Sequence, residues 1–531
     1  MGNLLFPDNK RGDQSILKKR MKFNLRILIL LLMIILTRVG NSQPWYFNNL
    51  YNPNNTWSAG LSITSHPSGY MACAISGDIY NYYQICIQEL SHEGTILNYK
   101  NYGQSGMDYY PGEDGSFKKD EQGRYFLFGS IDFFNYVVKG LFIYFDSDGD
   151  TIFSKKYESL YTTRLAGRNC GKTSDNGFIL TGDENTTDSS GVDCYLIKID
   201  STGTEQWRKH YGMNIGDVPY SIIQTPDLGY AVGGLTFSGA QITYDPIIIK
   251  TDSLGELEWM LNPGGEYKDD KAMVCNTSDS CIMVLTAFAD SMWSSEYAYT
   301  RINLIKIDLE GNIIWNKKFG PSKPVNFISN IISLEDGDFM ACGYTKYPGY
   351  IYRAGWLFRF NANGDSLWYR DYHYFMDNPS FGNNYLYDVS ITEDKGFIAT
   401  GQAFTFDPPN QVQKMWVLKV DSVGCEIPDC WVGVEEDGKT IGREDGKKGE
   451  LEIWPNPASG VLSVKCLGLS SGISYSISIY DLFGREIRTI TIPVNEYVIQ
   501  FDVGNLVPGL YLVILKDESK IIGSAKMVVS R

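Results

Sequence analysis

The chain has 531 residues, 43% of them hydrophobic, and a formal net charge of −15. That length exceeds one small core, that apolar share argues against general disorder, and the acidic balance argues against nucleic acid as a partner. Its 53 Gly beside 11 Trp, 36 Tyr and 26 Phe point to many short strands joined by tight turns, an all-β chain.

Residues 1–42 read as an N-terminal extension and signal peptide, with the natural start at Met21. Lys22 and Arg26 supply a basic region, and Ile27 to Leu36 an unbroken apolar run. Gly40 and Ser42 then put small side chains before a cut at Gln43. The apolar run covers only about half of a bilayer core. Ten cysteines in an exported chain permit disulfides. Cys425 with Cys430 and Cys275 with Cys281 each close a short loop, but spacing alone fixes no pairing.

From residue 44 to 430 the chain repeats. Turn glycines recur at Gly94, Gly149, Gly203, Gly255, Gly311, Gly364 and Gly424, each after a strand such as YLIKID (195–200) or MWVLKVD (415–421). Four residues after the glycine an aromatic recurs as Phe153, Trp207, Trp259, Trp315 and Trp368. A second turn opens another strand earlier in each repeat, as in DNGFILTG (175–182) and DKGFIATG (394–401). Each repeat therefore offers three or four strands, and a ring of such sheets buries what one alone cannot. The expectation is a seven-bladed β-propeller over 44–430. The last repeat lacks its outer strand, and residues 45–50 are expected to supply it, with Trp45 in the place of the repeated Trp.

Residues 431–450 are charged and glycine-rich, a linker. Residues 451–531 hold further short strands and are expected to form a small Ig-like β-sandwich. Within them stand Trp454-Pro455-Asn456-Pro457, then Tyr480-Asp481 with Gly484-Arg485, then Gly509 and Tyr511, and lastly Lys526. These residues resemble the C-terminal sorting domain of the type IX secretion system (type A), with Trp454 where that family more often has Tyr. The resemblance implies Sec export and then passage by the type IX machinery to the outer-membrane surface or the medium. It also implies removal of the domain, followed by release or attachment to surface lipopolysaccharide.

No catalytic constellation stands out. Four scattered His and no G-x-S-x-G leave no nucleophilic triad, and no metal or cofactor is expected. Asp146, Asp148 and Asp150 alternate as calcium ligands do, but Thr151 and Tyr157 stand where such a loop needs Gly and Glu, so a plain turn is favoured. Lys198, Lys250, Lys306, Arg359 and Lys419 share one repeat position, and pairing within the sheet is favoured over a basic ring. The irregular loops are rich in aromatics. Trp293, Tyr297, Tyr350, Tyr352, Phe404 and Phe406, from adjacent repeats, are the candidate ligand-binding residues. The expected function is a non-enzymatic binding or adhesion module for a glycan or protein ligand. The alternative is a secreted hydrolase or lyase with its site in the propeller channel.

Overall fold

The computed structural model describes residues 45–426 and 450–529, apart from short internal segments at 53–55, 79, 81, 134–136, 186–190, 213–215, 239–242, 295–296, 321–323, 347–352, 376–381, 406–411, 455–460, 468–474, 481–485, 493–497, 504–505, 507–508 and 518–519. The chain divides into two bodies, residues 1–439 and 440–531. Among the described residues no helix is long and apolar enough to cross a membrane.

The first body is a succession of antiparallel units. After β1 (Phe47–Tyr51), the first unit is β2 (Ser58–His66), β3 (Gly69–Gly77), β4 (Tyr83–Ser91) and β5 (Ile96–Tyr102). The second has β6 (Met107–Tyr110) and β7 (Lys118–Lys119) both beside β8 (Tyr125–Phe133), then β9 (Val137–Phe145) and β10 (Thr151–Tyr157). The third is β11 (Leu165–Lys172), β12 (Phe178–Asn185), β13 (Val192–Ile199) and β14 (Glu205–Tyr211). The fourth is β15 (Gly216–Gln224), β16 (Tyr230–Ser238), β17 (Thr243–Thr251) and β18 (Leu257–Leu261). The fifth is β19 (Met273–Asn276), β20 (Ile282–Met292), β21 (Ala298–Ile307) and β22 (Ile313–Phe319). The sixth is β23 (Val325–Ser333), β24 (Phe339–Lys346), β25 (Arg353–Phe360) and β26 (Ser366–Tyr372). The last is β27 (Gly382–Ile391), β28 (Phe397–Thr405) and β29 (Lys414–Val420), and β1 pairs with β29, Phe47 opposite Lys419 and Tyr51 opposite Met415.

The aligned turn glycines explain the repeat. All seven have positive φ, from 76° to 90°, a conformation open to Gly and costly for other residues. The turn's first residue holds it. Asp200 Oδ1 accepts the backbone N–H of Thr202 at 2.8 Å and of Thr204 at 2.9 Å, and Asp146 does the same for Asp148 and Asp150. Asp150 also pairs with Lys100 at 2.6 Å. Against six of the seven glycines lies an aromatic of the preceding unit, and Gly149 meets Ile87 instead. A Cβ on Gly255 would stand 2.7 Å from Trp207, and one on Gly364 2.6 Å from Trp315. Where a tyrosine stands four residues after the aromatic, it donates to the same glycine's carbonyl, Tyr157 to Gly203 at 2.7 Å, Tyr211 to Gly255 at 2.7 Å and Tyr372 to Gly424 at 2.8 Å.

The same geometry corrects one expectation. Phe47, not Trp45, takes the repeated aromatic's place: it lies against Gly94, and Tyr51, four residues on, donates to the Gly94 carbonyl at 2.6 Å. Trp45 instead stacks on His92, ring centroids 4.2 Å apart. The spacing of aromatic and Tyr sets the register, and Trp45 has no Tyr four residues after it.

Apolar clusters lie between consecutive units rather than inside single sheets. One joins Cys73 and Ile87 of the first unit to Leu127 and Ile143 of the second. Another joins Tyr51, Ile63, Tyr70 and Leu90 to Ile398, Met415 and Val417, so the first and last units share a core. The repeated cations pair within their own units. Lys198 meets Asp175 at 2.7 Å, Lys250 meets Asp227 at 2.8 Å, Lys306 meets Asp279 at 2.6 Å, Arg359 meets Asp336 at 2.6 Å, and Lys419 meets Asp394 at 2.9 Å. Each Asp belongs to the turn between the first two strands of its unit, so the pair locks that turn onto the third strand.

Cys275 and Cys281 are both free thiols, and Cys425 is disulfide-bonded to a partner outside the described residues.

The second body has two sheets around one core. The first is β30 (Glu450–Trp454), β31 (Val461–Leu467) and β34 (Val498–Asp502). The second orders β33 (Glu486–Thr491), β32 (Tyr475–Tyr480), β35 (Gly509–Asp517) and β36 (Lys520–Val529). Leu462, Val464 and Phe501 of the first sheet share a core with Ile477, Val513 and Met527 of the second, as alternation along each strand requires.

Candidate functional site

Three of the six loop aromatics are described, and their surroundings run through the fifth, sixth and last units. Trp293 and Tyr297 sit where β20 turns into β21, closed by the Trp293 N–H donating to the Tyr297 carbonyl at 2.9 Å. Their rings lie 5.8 Å apart. The Lys346 ammonium stands 3.9 Å from the Tyr297 ring and 4.9 Å from the Trp293 ring. Phe404 is a strand residue of β28, not a loop residue, and stacks on Tyr385 of β27 at 6.3 Å with 14° between planes. Burial raises the Tyr385 hydroxyl's pKa, which the Arg353 guanidinium opposes and Tyr297 adds to. Tyr350, Tyr352 and Phe406 lie outside the described residues.

The residues that knit this sector together were not singled out from the sequence. Tyr344 stacks on Phe327 at 4.7 Å and meets Tyr385 edge-on at 4.7 Å. Tyr387 lies 5.9 Å from Tyr385, and the Arg353 guanidinium 5.4 Å from the Tyr385 ring. Leu386, between the two tyrosines, is fully buried while both remain half-buried. A β-bulge at Leu386/Asp388 breaks the β27 register there, and bulges recur in β2, β11, β15 and β23. A bulge re-aims the side chains beside it. A one-residue irregularity at one repeat position was the signal available, and alternation-based reading passes over it.

Those strands also bring a second group of residues together. The Asp388 carboxylate accepts the Ile63 N–H of the first unit at 2.8 Å and the Asn330 side-chain amide of the sixth at 2.6 Å. Lys271 of the fifth unit reaches Asp114 of the second at 3.2 Å, and its ammonium stands 4.6 Å from the Tyr220 ring of the fourth. Arg168 of the third unit bridges Glu113 and Asp183. Burial pushes the Asp388 carboxyl up to about 7 and Asp114 up to about 6, even with Lys271 beside it. Burial alone would lower Lys271, but Asp114 and Asp270 outweigh it and hold the ammonium above its usual value.

A pH dependence follows from these groups and from Asp269, which burial also raises to about 6. A carboxyl raised by folding binds its proton more tightly in the native state, so stability grows as pH falls through the native pKa. Carboxylates held down by cations act oppositely: burial raises Asp175, but Lys198 and Thr173 more than offset this and bring it to about 2. The urea midpoint should therefore rise from pH ~7.5 to pH ~5.5, then fall below pH ~4. Asp388→Asn should flatten part of the rise.

In the C-terminal body Tyr480 ends β32, and its hydroxyl accepts the Lys516 ammonium at 2.5 Å. Gly509 and Tyr511 lie on β35, with Tyr511 buried in the core, and Lys526 lies on β36 opposite Leu512. Pro455, Asn456, Pro457, Asp481, Gly484 and Arg485 fall outside the described residues. Residues 452–530 match the family described as "Secretion system C-terminal sorting domain". This is a type IX secretion sorting domain. The sorting domain marks the chain for the type IX machinery and for export to the cell surface or extracellular space.

No curated protein matches the chain. Among solved structures, a protein of unknown function from Dyadobacter fermentans is similar to it at 9% identity, covering 72% of this chain and 100% of its own, with a TM-score of 0.40. The β-propeller domain of the Trilobed protease from Pyrococcus furiosus is similar at 8% identity, covering 71% and 99%, with a TM-score of 0.36. The body that precedes the sorting domain is all-β, a succession of antiparallel units with apolar cores between them.

Proposed function

We propose that residues 44–430 form a closed seven-bladed β-propeller that acts outside the cell as a non-enzymatic binding or adhesion module for a glycan or protein ligand. The signal peptide ends before Gln43, and the sorting domain is removed within the linker 431–450. The exported propeller is then released or held on surface lipopolysaccharide. Closure is supported by the core shared between Ile63 and Met415 and by the Ile63–Asp388 hydrogen bond. The binding reading rests on one observation: Trp293, Tyr297, Tyr385 and Phe404 come together as half-buried rings beside Lys346 and Arg353. Large rigid rings with polar edges are the residues that anchor partners.

A glycan and peptide array probed with the secreted protein tests this. Saturable binding to one ligand class, without turnover, is expected, and binding to nothing on either array would contradict it. A second reading, a hydrolase or lyase acting at the centre, draws on Asp114 and Asp388, buried carboxyls held near neutrality as proton transfer requires. Product released from an array ligand, and lost in Asp388→Asn, would favour it.

A further inference from the structure

The β24–β25 hairpin carries an arrangement that the fold itself disfavours. Lys346 and Arg353 are direct cross-strand partners, the last pair of the ladder. Like charges in that relation repel. Several other half-buried or buried cations of this acidic chain meet carboxylates, as Lys198, Lys250, Lys419 and Arg301 do. Among the described residues neither Lys346 nor Arg353 has one. Lys346 rests instead on the faces of Tyr297 and Trp293, and Arg353 donates to the neutral Asn383 Oδ1 at 2.8 Å. The Asn383 side chain is fully buried, and its NH2 group has no acceptor. Three donors thus gather with no anion to answer them, between ring pairs on both sides.

We propose that this place binds the carboxylate or sulfate of an acidic glycan, whose sugar rings lie against Trp293 and Tyr297 on one side and Tyr385 on the other. The anion relieves the repulsion between the two cations. The aromatic faces take the apolar faces of the sugar rings, and the hydroxyls of Tyr344 and Tyr385, which bond to no described residue, face the sugar hydroxyls. The inference rests on the binding reading above and names its ligand class.

The test is calorimetric titration of the secreted full chain with tetragalacturonate and a heparin hexasaccharide. Maltotetraose, cellotetraose and a hexaglutamate peptide serve as comparisons. The acidic sugars should bind at least about tenfold more tightly than the neutral ones, and more weakly at about 200 mM salt than at about 50 mM. Lys346→Gln with Arg353→Gln should weaken acidic-sugar binding roughly thirtyfold, while the melting temperature holds or rises because the repelling pair is gone. Lys346→Arg keeps the charge and should keep binding. Equal binding of neutral and acidic sugars would overturn the inference, and so would acidic-sugar binding that survives the double substitution. Hexaglutamate binding more tightly than either acidic sugar would overturn the glycan class. In each case a loss of binding in Trp293→Ala leaves the broader binding reading standing, and no binding by any probe or array ligand removes both.

Discussion

Asp394→Ala should cost the first, all-β body about 3–5 kcal/mol, the largest single-site loss expected in the chain. Lys419 and Asp394 are both fully buried, 0% and 1% exposed at their side chains, and meet at 2.9 Å. Burial raises the Asp394 carboxyl, and Thr392 and Lys419 more than reverse it, so the pair stays ionised at neutral pH. Removing the carboxylate strands an ammonium in the interior with, among the described residues, only the Val420 carbonyl to accept from it. The same carboxylate accepts the Trp45 N–H at 3.1 Å, so the substitution also loosens the approach to β1. Replacing both partners, with Asp394→Ala and Lys419→Met, should recover most of the loss, because no buried charge is then left unpaired. Urea unfolding of the wild type and the two variants decides the matter, and a single substitution within about 1 kcal/mol of wild type would show the pair to be dispensable.

The second large effect is on export. Deleting residues 520–531 removes β36, which pairs with β35 from Gly509 opposite Val529 to Asp517 opposite Lys520. It also takes Met527 and Val529 out of the core that holds Tyr511, Val513 and Leu515. The sorting domain then loses an edge strand and part of its packing, and the type IX machinery loses its recognition element. The truncated protein should accumulate in the periplasm, with none in the surface or culture fractions by immunoblot. Mass spectrometry of the wild-type surface protein should show Gln43 as the first residue and an end between residues 431 and 450. A surface form retaining Val528 and Val529 would contradict the removal step, and undiminished export of the truncated chain would contradict the sorting role of β36.

Much of this was legible from the residues. The turn glycines were visible because only Gly takes that backbone at no cost, and the aromatics because each covers the next unit's glycine. Pairing of Lys198, Lys250, Lys306, Arg359 and Lys419 within their sheets was legible from alternation, although their Asp partners were not named. The place of Phe47 was missed because Trp45 matched the repeated residue type while the Tyr four residues later, which sets the register, went unused. The Asp114–Lys271 contact joins residues 157 apart in sequence, and only the return of successive units to one place creates it. Lys346 and Arg353 read as ordinary hairpin ends until the ladder sets them opposite one another. Phe404 read as a loop residue because the apolar run of β28 continues without a turn signal to mark its end.

The exported body should bind its ligand through the aromatic sector of its fifth to last units. The most direct measurement is an affinity titration of Trp293→Ala with Tyr297→Ala against wild type, using the ligand the arrays identify, with melting curves on both. A loss of roughly thirtyfold in affinity at an unchanged melting temperature is expected, since aromatic anchors are worth about 2 kcal/mol or more at a hot spot and, among the described residues, these rings close no core cluster. Unchanged affinity with a lowered melting temperature would contradict it, making Trp293 and Tyr297 caps on the ends of β20 and β21.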